Sequence, residues 1–174
     1  MKIETSRLKL VPVSEQYKAD ILAEFTPEIT RYMPYTPNGE EQEIQEFLDK
    51  AKLALINRTD IVLAVLDKES KEFIGCCGIH NITEHSIELG LWLKAGTHGQ
   101  GLGTEVVESL INFIQQNFKY SHLIYPVDKE NIASRKIPEK LGFSIFREYQ
   151  TIKDEDTFLN IAEYRKYSLD HSGV

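Results

Sequence analysis

The sequence predicts a single mixed α/β domain. Short segments with apolar residues at every second position alternate with longer segments whose apolar residues recur at helical spacing. The chain has 174 residues, the usual size of one domain. It contains no internal repeat, low-complexity tract or linker that would divide it. Because a chain of this length buries roughly 70% of its unfolded surface, its core needs no disulfide or metal.

The strands are predicted from alternation and from the turn residues between them. The clearest is 86–93, where four apolar residues share one face and Glu88, Gly90 and Trp92 share the other. The polar turn 67–70 joins two strands into an antiparallel hairpin, and the charged connector 153–156 is expected to be a mobile turn. In chain order, the expected strands are 8–11, 60–66, 72–79, 86–93, 123–127, 143–149 and 161–169.

Four helices are predicted from apolar residues at helical spacing. Ser14 is a favoured N-cap residue for the first helix, and Glu41 and Glu43 complement the positive end of the second. The third follows a glycine-rich loop, and the fourth ends at Gly142. In chain order, the expected helices are 14–25, 40–55, 104–118 and 132–141.

Charge and cysteine content exclude several classes of protein. Lys plus Arg number 20 and Asp plus Glu 27, a formal net charge of −7, which argues against non-specific binding to nucleic acid or anionic lipid. No apolar segment approaches the ~20 residues of a membrane span, and residues 1–7 lack the apolar segment of a signal peptide. The adjacent Cys76 and Cys77 cannot form an unstrained disulfide. We therefore expect a cytoplasmic protein with reduced thiols.

The glycine-rich loop at 96–103 carries the strongest chemical indication. Gly99, Gly101 and Gly103 permit positive φ and close approach of a ligand to the main chain. Amides of this loop and of the following helical turn form an anion-binding site suited to a phosphate or pyrophosphate. The loop lacks the lysine of a P-loop and the glycine spacing of a dinucleotide fingerprint. A flexible turn without a ligand is the alternative at this point.

Four motifs in register carry a resemblance to a known family. They are Thr5-x-Arg7-Leu8-x-Leu10, the strand 88–93, the loop with Gly101 and Gly103, and Asn131-x-x-Ser134 followed by Glu139-Lys140-Leu141-Gly142-Phe143. Together they cover nearly the whole chain in the right order. The sequence resembles the GCN5-related N-acetyltransferase (GNAT) superfamily and, within it, the ribosomal-protein N-terminal acetyltransferase (RimJ/RimL-type) branch. It departs from the family pattern at His98, where that pattern has Gln or Arg.

The resemblance implies a single-domain acyl-CoA N-acyltransferase fold over residues 7–170. This fold has a mixed, mostly antiparallel sheet of six to seven strands flanked by about four helices. Its fourth and fifth strands, here 86–93 and 123–127, are parallel neighbours that splay apart, and the pantetheine arm of acetyl-CoA lies in the opening. Pro126 fits this position because it lacks a ladder donor, although it fits an ordinary edge strand equally well.

The resemblance also implies a set of site residues. A backbone amide near Trp92 or Leu93 would polarise the thioester carbonyl, and Ser134 would lie close to the sulfur and deliver or relay its proton. Asn131 would bind the pantetheine amides, a role that can coexist with an N-cap. The residues expected to bind acetyl-CoA are Leu91, Trp92, Leu93, His98, Gly99, Gln100, Gly101, Leu102, Gly103, Thr104, Asn131 and Ser134.

The general base is predicted from strand position. Glu88 shares a strand face with Gly90 and Trp92, where partial burial would raise its pKa towards a value suited to accepting an ammonium proton. A solvated or salt-bridged carboxylate is the alternative, and His80 and His85 are further candidate bases. The five histidines show no metal-ligand spacing, so no metal site is expected.

The resulting hypothesis is an acetyl-CoA-dependent N-acetyltransferase in which the amine attacks the thioester directly in a ternary complex. Ser134 and Glu88 are its predicted catalytic residues. The acceptor is a primary amine, either a protein N-terminus such as that of a ribosomal protein or a small molecule. The alternatives are a non-catalytic acyl-CoA-binding sensor, which Asn131 and Ser134 disfavour, and more weakly a nucleotide-binding regulator. Neither nucleic acid nor a membrane is an expected partner, and a homodimer is one expectation because family members often dimerise.

Overall fold

A single eight-stranded sheet forms the centre of the structure, a computed structural model that describes residues 1–169. The strands lie side by side in the order β1-β2-β3-β4-β5-β6-β8-β7. They are β1 (Ile3–Glu4), β2 (Leu8–Pro12), β3 (Ile61–Asp67), β4 (Phe73–His80), β5 (Ser86–Leu93), β6 (His122–Asp128), β7 (Ser144–Asp154) and β8 (Thr157–Tyr167). The predicted mixed class and mostly antiparallel sheet are confirmed. Residue 170, the predicted end of the domain, lies outside the described residues.

Four α-helices flank this sheet within residues 1–169. They are α1 (Lys18–Glu24), α2 (Glu41–Asn57), α3 (Leu102–Asn117) and α4 (Ile132–Lys140). A short 3-10 helix, Glu15–Tyr17, precedes α1, and Ser14 occupies its N-cap position without a capping hydrogen bond from its side chain in the described chain. Over the same residues, each helix is too short or too polar to cross a bilayer.

The sheet has one strand more than the six to seven predicted. The additional strand is β1, whose Ile3 and Glu4 pair with Leu10 and Lys9 of β2. A two-residue strand is too short for an alternating pattern to be recognised in the sequence. By contrast, β5 occupies the predicted residues 86–93, because eight alternating residues define both its extent and its faces.

The two faces of the sheet bury separate apolar clusters. Alternation along β3 divides its side chains, so that Leu63 and Val65 belong to one cluster while Ala64 and Leu66 belong to the other. The first cluster is completed mainly by α3 and β5 and includes Ile87, Leu89, Val106, Val107, Leu110 and Ile114. The second is completed by α1 and α2 and includes Ile21, Ile44, Leu48 and Phe73. Each fully buried Leu or Ile contributes about 1.5–3 kcal/mol, so these clusters fix the helices against the sheet.

The connector at 153–156 forms the end of a hairpin, in which Lys153 and Asp154 belong to β7 and residues 155–156 make the turn, while its expected mobility stays a prediction. Register pairs between β7 and β8 continue to Ile152↔Phe158 and Asp154↔Thr157, with a bulge between them at Lys153. The strand pattern was hidden because β7 is the last strand of the sheet and is exposed along nearly its whole length. Apolar and polar residues are mixed on both faces of this edge strand, which leaves no alternation to detect.

Candidate active site

A cleft of about 500 Å³ opens between the C-terminal ends of β5 and β6. Its floor includes Leu91, Trp92 and Leu93 at the end of β5, and one wall includes Asn131 and Ser134 at the start of α4. The other boundaries are the glycine-rich loop before α3 and the linker between α1 and α2, which contributes Ile29, Tyr32 and Met33. The cleft therefore joins the predicted cofactor loop to this linker, which is the side of the cleft where we expect the acceptor amine to bind.

The cleft exists because β5 and β6 separate. These parallel strands pair only at Ser86↔His122, Ile87↔Leu123 and Glu88↔Ile124, whereas β6 stays paired with β8 as far as Asp128↔Ile161. Pro126 lies two residues beyond the last pair with β5, where its missing N–H costs no hydrogen bond to that strand. The predicted splay of these two strands is confirmed.

The loop before α3 is built to present main-chain donors. Gly96, Gly99 and Gly101 have φ values of 88°, 79° and 76°, a left-handed conformation that other residues adopt only with strain. Gly101 is the N-cap of α3, and the first helical amide with a helical partner is that of Glu105, which donates to the Gly101 carbonyl at 3.2 Å. The amides of Leu102, Gly103 and Thr104 precede it and have no partner within the helix. They are available to an anion at the positive end of the helix dipole.

Gly103 also sets how closely α4 approaches this loop. A Cβ atom at Gly103 would lie 2.8 Å from Ile137 Cδ1, so glycine lets α4 pack directly against the first turn of α3. Both glycines of the family motif thus have a physical reason to be present. Gly101 supplies a backbone conformation, and Gly103 supplies close packing between helices.

Side chains from distant segments hold the loop in place. His98 Nε2 donates to the Leu93 carbonyl at 2.9 Å, which ties the loop to the end of β5. Arg7 Nη1 donates to the Gln100 carbonyl at 3.0 Å, and its Nε donates to Glu105 Oε1 at 2.8 Å. His98, itself a loop residue, therefore fixes the loop to β5 through this hydrogen bond. Arg7, to which the sequence had assigned no role in the site, anchors the loop to the first strands.

Two lysines bring positive charge to a protein that is acidic overall. Lys136 and Lys140 line the cleft from successive turns of α4, and both side chains are exposed. Phosphate groups need cationic or amide partners, and here lysines, loop amides and a helix N-terminus converge on one cleft. This donor set fits the diphosphate of coenzyme A. Lys140 was predicted only as part of the family motif and Lys136 not at all, since helical spacing alone does not show which exposed charges face a ligand.

Ser134 lies in a pair of hydrogen bonds at the start of α4. Asn131 is the N-cap, and its Oδ1 accepts from the Ser134 amide at 3.3 Å, which leaves the Asn131 Nδ2 donor for a ligand. The hydroxyl oxygens of Ser134 and Tyr125 are 2.7 Å apart. Tyr125 is a β6 residue that is only 2% exposed. Tyr125 was not predicted as a site residue, because its position on β6 indicates only an inward-facing core residue.

Glu88 lies apart from this cleft, on the β5 face that it shares with Trp92. The two residues are four positions apart along the strand, which places their Cα atoms about 13 Å from each other. Burial raises the pKa of Glu88 above its ordinary value, despite opposing effects of the charge on His80 and of a hydrogen bond from Asn81 Nδ2 at 3.3 Å. His80 faces Glu88 across β4 and β5 and contacts Asp60 Oδ1 at 3.2 Å. A half-buried carboxyl whose pKa is raised by burial is a stronger base than an ordinary carboxylate.

The structure thus brings most of the predicted cofactor-binding residues into one cleft. The lining includes Leu91, Trp92, Leu93, His98, Gly99, Gly101, Leu102, Gly103, Thr104, Asn131 and Ser134. Gln100 is outside that lining, and its side chain donates to the Gly96 carbonyl at 3.3 Å. Of the candidate bases, His85 is exposed in the turn before β5. No group of three or more His, Cys, Asp or Glu residues suited to a metal ion occurs within 1–169.

An opened sheet, a glycine loop with free amides and a hydroxyl at the mouth of the opening define the class of acyl-CoA N-acyltransferases. The family model of the Acetyltransferase (GNAT) domain matches residues 7–144. The chain therefore belongs to this family and is an N-acetyltransferase that uses acetyl-CoA. It is 27% identical over 156 residues to the uncharacterized N-acetyltransferase p20 of Bacillus licheniformis. This alignment covers 86% of this chain and 87% of the relative.

Solved structures share the fold at low sequence identity. RimL, the ribosomal protein L7/L12 α-N-protein acetyltransferase in complex with coenzyme A, superposes with a TM-score of 0.84 at 12% identity, covering 96% of this chain and 98% of the other. An acetyltransferase of Salmonella typhimurium that modifies the N-terminal serine of L7/L12 gives a TM-score of 0.83 at 12% identity, covering 97% and 99%. The family model confirms the predicted superfamily, and structures of the predicted ribosomal-protein branch are among those that share the fold.

Proposed function

We propose that the protein acetylates a primary amine, either a protein N-terminus or a small-molecule amine, by direct attack on bound acetyl-CoA. The observation that carries this proposal is the cleft itself, in which loop amides, Asn131 and Ser134 line one continuous opening between β5 and β6. The RimL neighbour acts on a ribosomal protein N-terminus, which supports an amine of this class as the first acceptor to test.

In this mechanism the protein holds the donor through its main chain. The amides of Leu102, Gly103 and Thr104 bind the diphosphate, and Lys136 and Lys140 add charge at the cleft wall. Asn131 Nδ2 binds the pantetheine arm, while Asn131 Oδ1 keeps its capping bond to the Ser134 amide. A β5 amide near Trp92 or Leu93 polarises the thioester carbonyl. Such placement converts the reaction into an effectively intramolecular step.

Two side chains assist the reaction, Glu88 at the amine and Ser134 at the departing sulfur. The amine nitrogen forms a bond to the thioester carbon, the carbon–sulfur bond then breaks, and the nitrogen loses one proton while the sulfur gains one. Glu88 accepts the amine proton, through water because it lies outside the cleft lining. Ser134 donates a hydrogen bond to the departing sulfur from the cleft wall and keeps its own proton, and the thiolate takes its proton from water in the cleft. The raised pKa of Glu88 makes it a stronger base than an ordinary carboxylate.

Release of free thiol from acetyl-CoA, measured against a panel of protein N-terminal peptides and small amines, tests this function. We expect thiol release that depends on the amine. The Ser134→Ala variant is expected to lose turnover roughly 10- to 100-fold while it keeps its affinity for coenzyme A. Undiminished coenzyme A binding with no turnover on any amine would instead favour the sensor alternative. Calorimetry that detects no coenzyme A binding would reject both.

A further inference from the structure

From the contact between the two hydroxyls, we infer that Tyr125 is a positioning residue for catalysis, because its hydroxyl donates to Ser134 Oγ and so directs the Ser134 proton into the cleft. This inference deepens the proposed function and rests on it. The carrying observations are the 2.7 Å separation of the two hydroxyl oxygens and their opposite environments. Tyr125 is 2% exposed, whereas Ser134 is half-buried and lines the cleft.

Burial fixes the direction of the hydrogen bond. Among residues 1–169, Ser134 is the partner that the structure shows for the Tyr125 hydroxyl. If Ser134 donated, the buried Tyr125 proton would be left without an acceptor, which proteins avoid. If Tyr125 donates, its proton is satisfied and the Ser134 proton is free to point into the cleft. The second arrangement satisfies both hydroxyls.

A Ser134 hydroxyl oriented in this way stabilises the leaving group, the thiolate of coenzyme A. As the carbon–sulfur bond breaks, negative charge collects on sulfur, and a donor already aimed at that charge stabilises it. A serine free to rotate would spend part of its time offering a lone pair instead, which repels the developing thiolate. Accepting a hydrogen bond from Tyr125 also makes the Ser134 O–H a stronger donor, since linked hydrogen bonds polarise one another.

The low acidity of the Tyr125 phenol indicates that Tyr125 positions Ser134 and does not supply the proton that the sulfur gains. Burial raises the pKa of Tyr125 to about 12, an effect only partly offset by its hydrogen bond to Ser134. A thiol has an ordinary pKa of about 8.5, so a tyrosine this weakly acidic does not protonate a thiolate efficiently. The phenol therefore stays protonated throughout, and no proton passes from Tyr125 to the sulfur.

The remaining side-chain contacts of Tyr125 are apolar, so Tyr125→Phe tests the hydroxyl alone. The ring lies against Phe143, with ring centroids 6.4 Å apart, and phenylalanine keeps that packing while it removes only the hydroxyl. Tyr164→Phe is the matched control. The Tyr164 hydroxyl also holds α4, since it accepts from Arg135 Nε at 3.1 Å and donates to Glu139 Oε1 at 2.7 Å, but Tyr164 is not among the residues that line the cleft.

A double-mutant cycle with Ser134→Ala measures the coupling. We expect Tyr125→Phe to lower kcat roughly 3- to 10-fold with KM for acetyl-CoA unchanged within about twofold. The shape of the pH–rate profile should stay the same, because the phenol does not titrate in the working range. In the Ser134→Ala background, Tyr125→Phe should not lower kcat any further. Tyr164→Phe should leave kcat unchanged in both backgrounds. Additive losses, or an unchanged kcat in Tyr125→Phe, would overturn the inference.

A second readout needs no acceptor and no turnover. In the complex with coenzyme A, the thiol pKa is followed through thiolate absorbance as pH is raised. Ser134 stabilises the thiolate, so Tyr125→Phe should raise that thiol pKa by roughly 0.5, about a threefold loss of thiolate affinity. An identical thiol pKa in both proteins would contradict the positioning role. If wild-type protein turned over no amine at all, the proposed function would fail, while this measurement would still decide the role of Tyr125.

Discussion

The guanidinium of Arg7 binds the carboxylate of Glu105, with Arg7 Nε 2.8 Å from Glu105 Oε1. Thr5 Oγ1 donates to the other carboxylate oxygen at 2.5 Å. Burial alone raises the pKa of Glu105, but hydrogen bonds from Thr5 and Arg7 more than offset it, so its pKa lies below the ordinary value. The carboxylate in the first turn of α3 is thereby neutralised beside the amides that we propose bind the diphosphate.

Arg7→Ala should weaken coenzyme A binding roughly tenfold, which corresponds to about 1.4 kcal/mol. The substitution removes the donor to the Gln100 carbonyl and leaves the Glu105 charge uncompensated near an anion. Lys68→Ala is the control, since Lys68 Nζ donates at 3.0 Å to the Thr5 carbonyl of the same segment but does not contact the loop. Calorimetric titration compares the two variants. Equal affinity in Arg7→Ala and wild type would show that the loop needs no such anchor.

Backbone conformation at Gly101 is expected to matter for binding as well as for stability. Gly101 and Gly39 have φ values of 76° and 80°, so alanine at either position should cost about 1 kcal/mol and lower Tm by about 3 °C. Only Gly101→Ala should also weaken coenzyme A binding, because Gly101 is the N-cap of α3. Thermal unfolding and calorimetry on both variants separate the two effects. A loss of affinity in Gly39→Ala of the same size would mean that the effect is general destabilisation.

Replacing Glu88 by glutamine should raise the stability of the protein and lower its activity. Burial raises its pKa above the ordinary 4.5, so between 4.5 and the raised value the folded protein binds more protons than the unfolded chain. Stability then falls as pH rises through that interval. Glu88→Gln removes this cost, so its Tm should exceed that of wild type at pH 7, and the difference should vanish below about pH 4. If Glu88 is the base, the same variant should lose kcat roughly 10- to 100-fold.

Glu84→Gln provides the control for charge, since Glu84 is exposed in the turn before β5. It should change neither Tm nor kcat measurably. Glu88→Gln with full activity and a higher Tm would identify Glu88 as a buried carboxyl without a catalytic role. His80, which faces Glu88 across the sheet, would then be the next base to test.

Local patterns were sufficient to predict the fold and the glycine-rich loop before α3. The alternation over 86–93 defined β5, and the spacing from Asn131 to Ser134 placed a cap and a hydroxyl on one turn of α4. The contacts that support the site were not predictable in this way. Arg7 and Glu105 are 98 residues apart, and the partnership of Tyr125 with Ser134 depends on how far β6 diverges from β5. Such contacts arise from tertiary packing, which leaves no periodic trace in the sequence.

The tip of the β7–β8 hairpin is another contact of this kind. Lys153 Nζ donates to the carbonyls of Thr30, Met33 and Tyr35 at 2.5, 2.7 and 3.3 Å, which ties the hairpin to the linker between α1 and α2. An ammonium has three donors, and all three are used here on main-chain oxygens. Met33 and Tyr32 of that linker line the cleft, so the position of the linker depends on a residue that lies on the last hairpin.

Lys153→Met should therefore impair the acceptor side of the site and spare the cofactor side. Methionine keeps most of the apolar stem and removes the three hydrogen bonds, so the linker loosens, and KM for the amine should rise roughly fivefold, about 1 kcal/mol. Affinity for coenzyme A should stay within about twofold of wild type, since the loop amides are untouched. Lys166→Met is the matched control, because Lys166 Nζ also donates to a carbonyl, that of Leu141, at 2.7 Å away from the linker. Steady-state kinetics with varied amine and calorimetry with coenzyme A distinguish the two variants. An unchanged amine KM in Lys153→Met, or the same rise in Lys166→Met, would show that the hairpin does not shape the acceptor site.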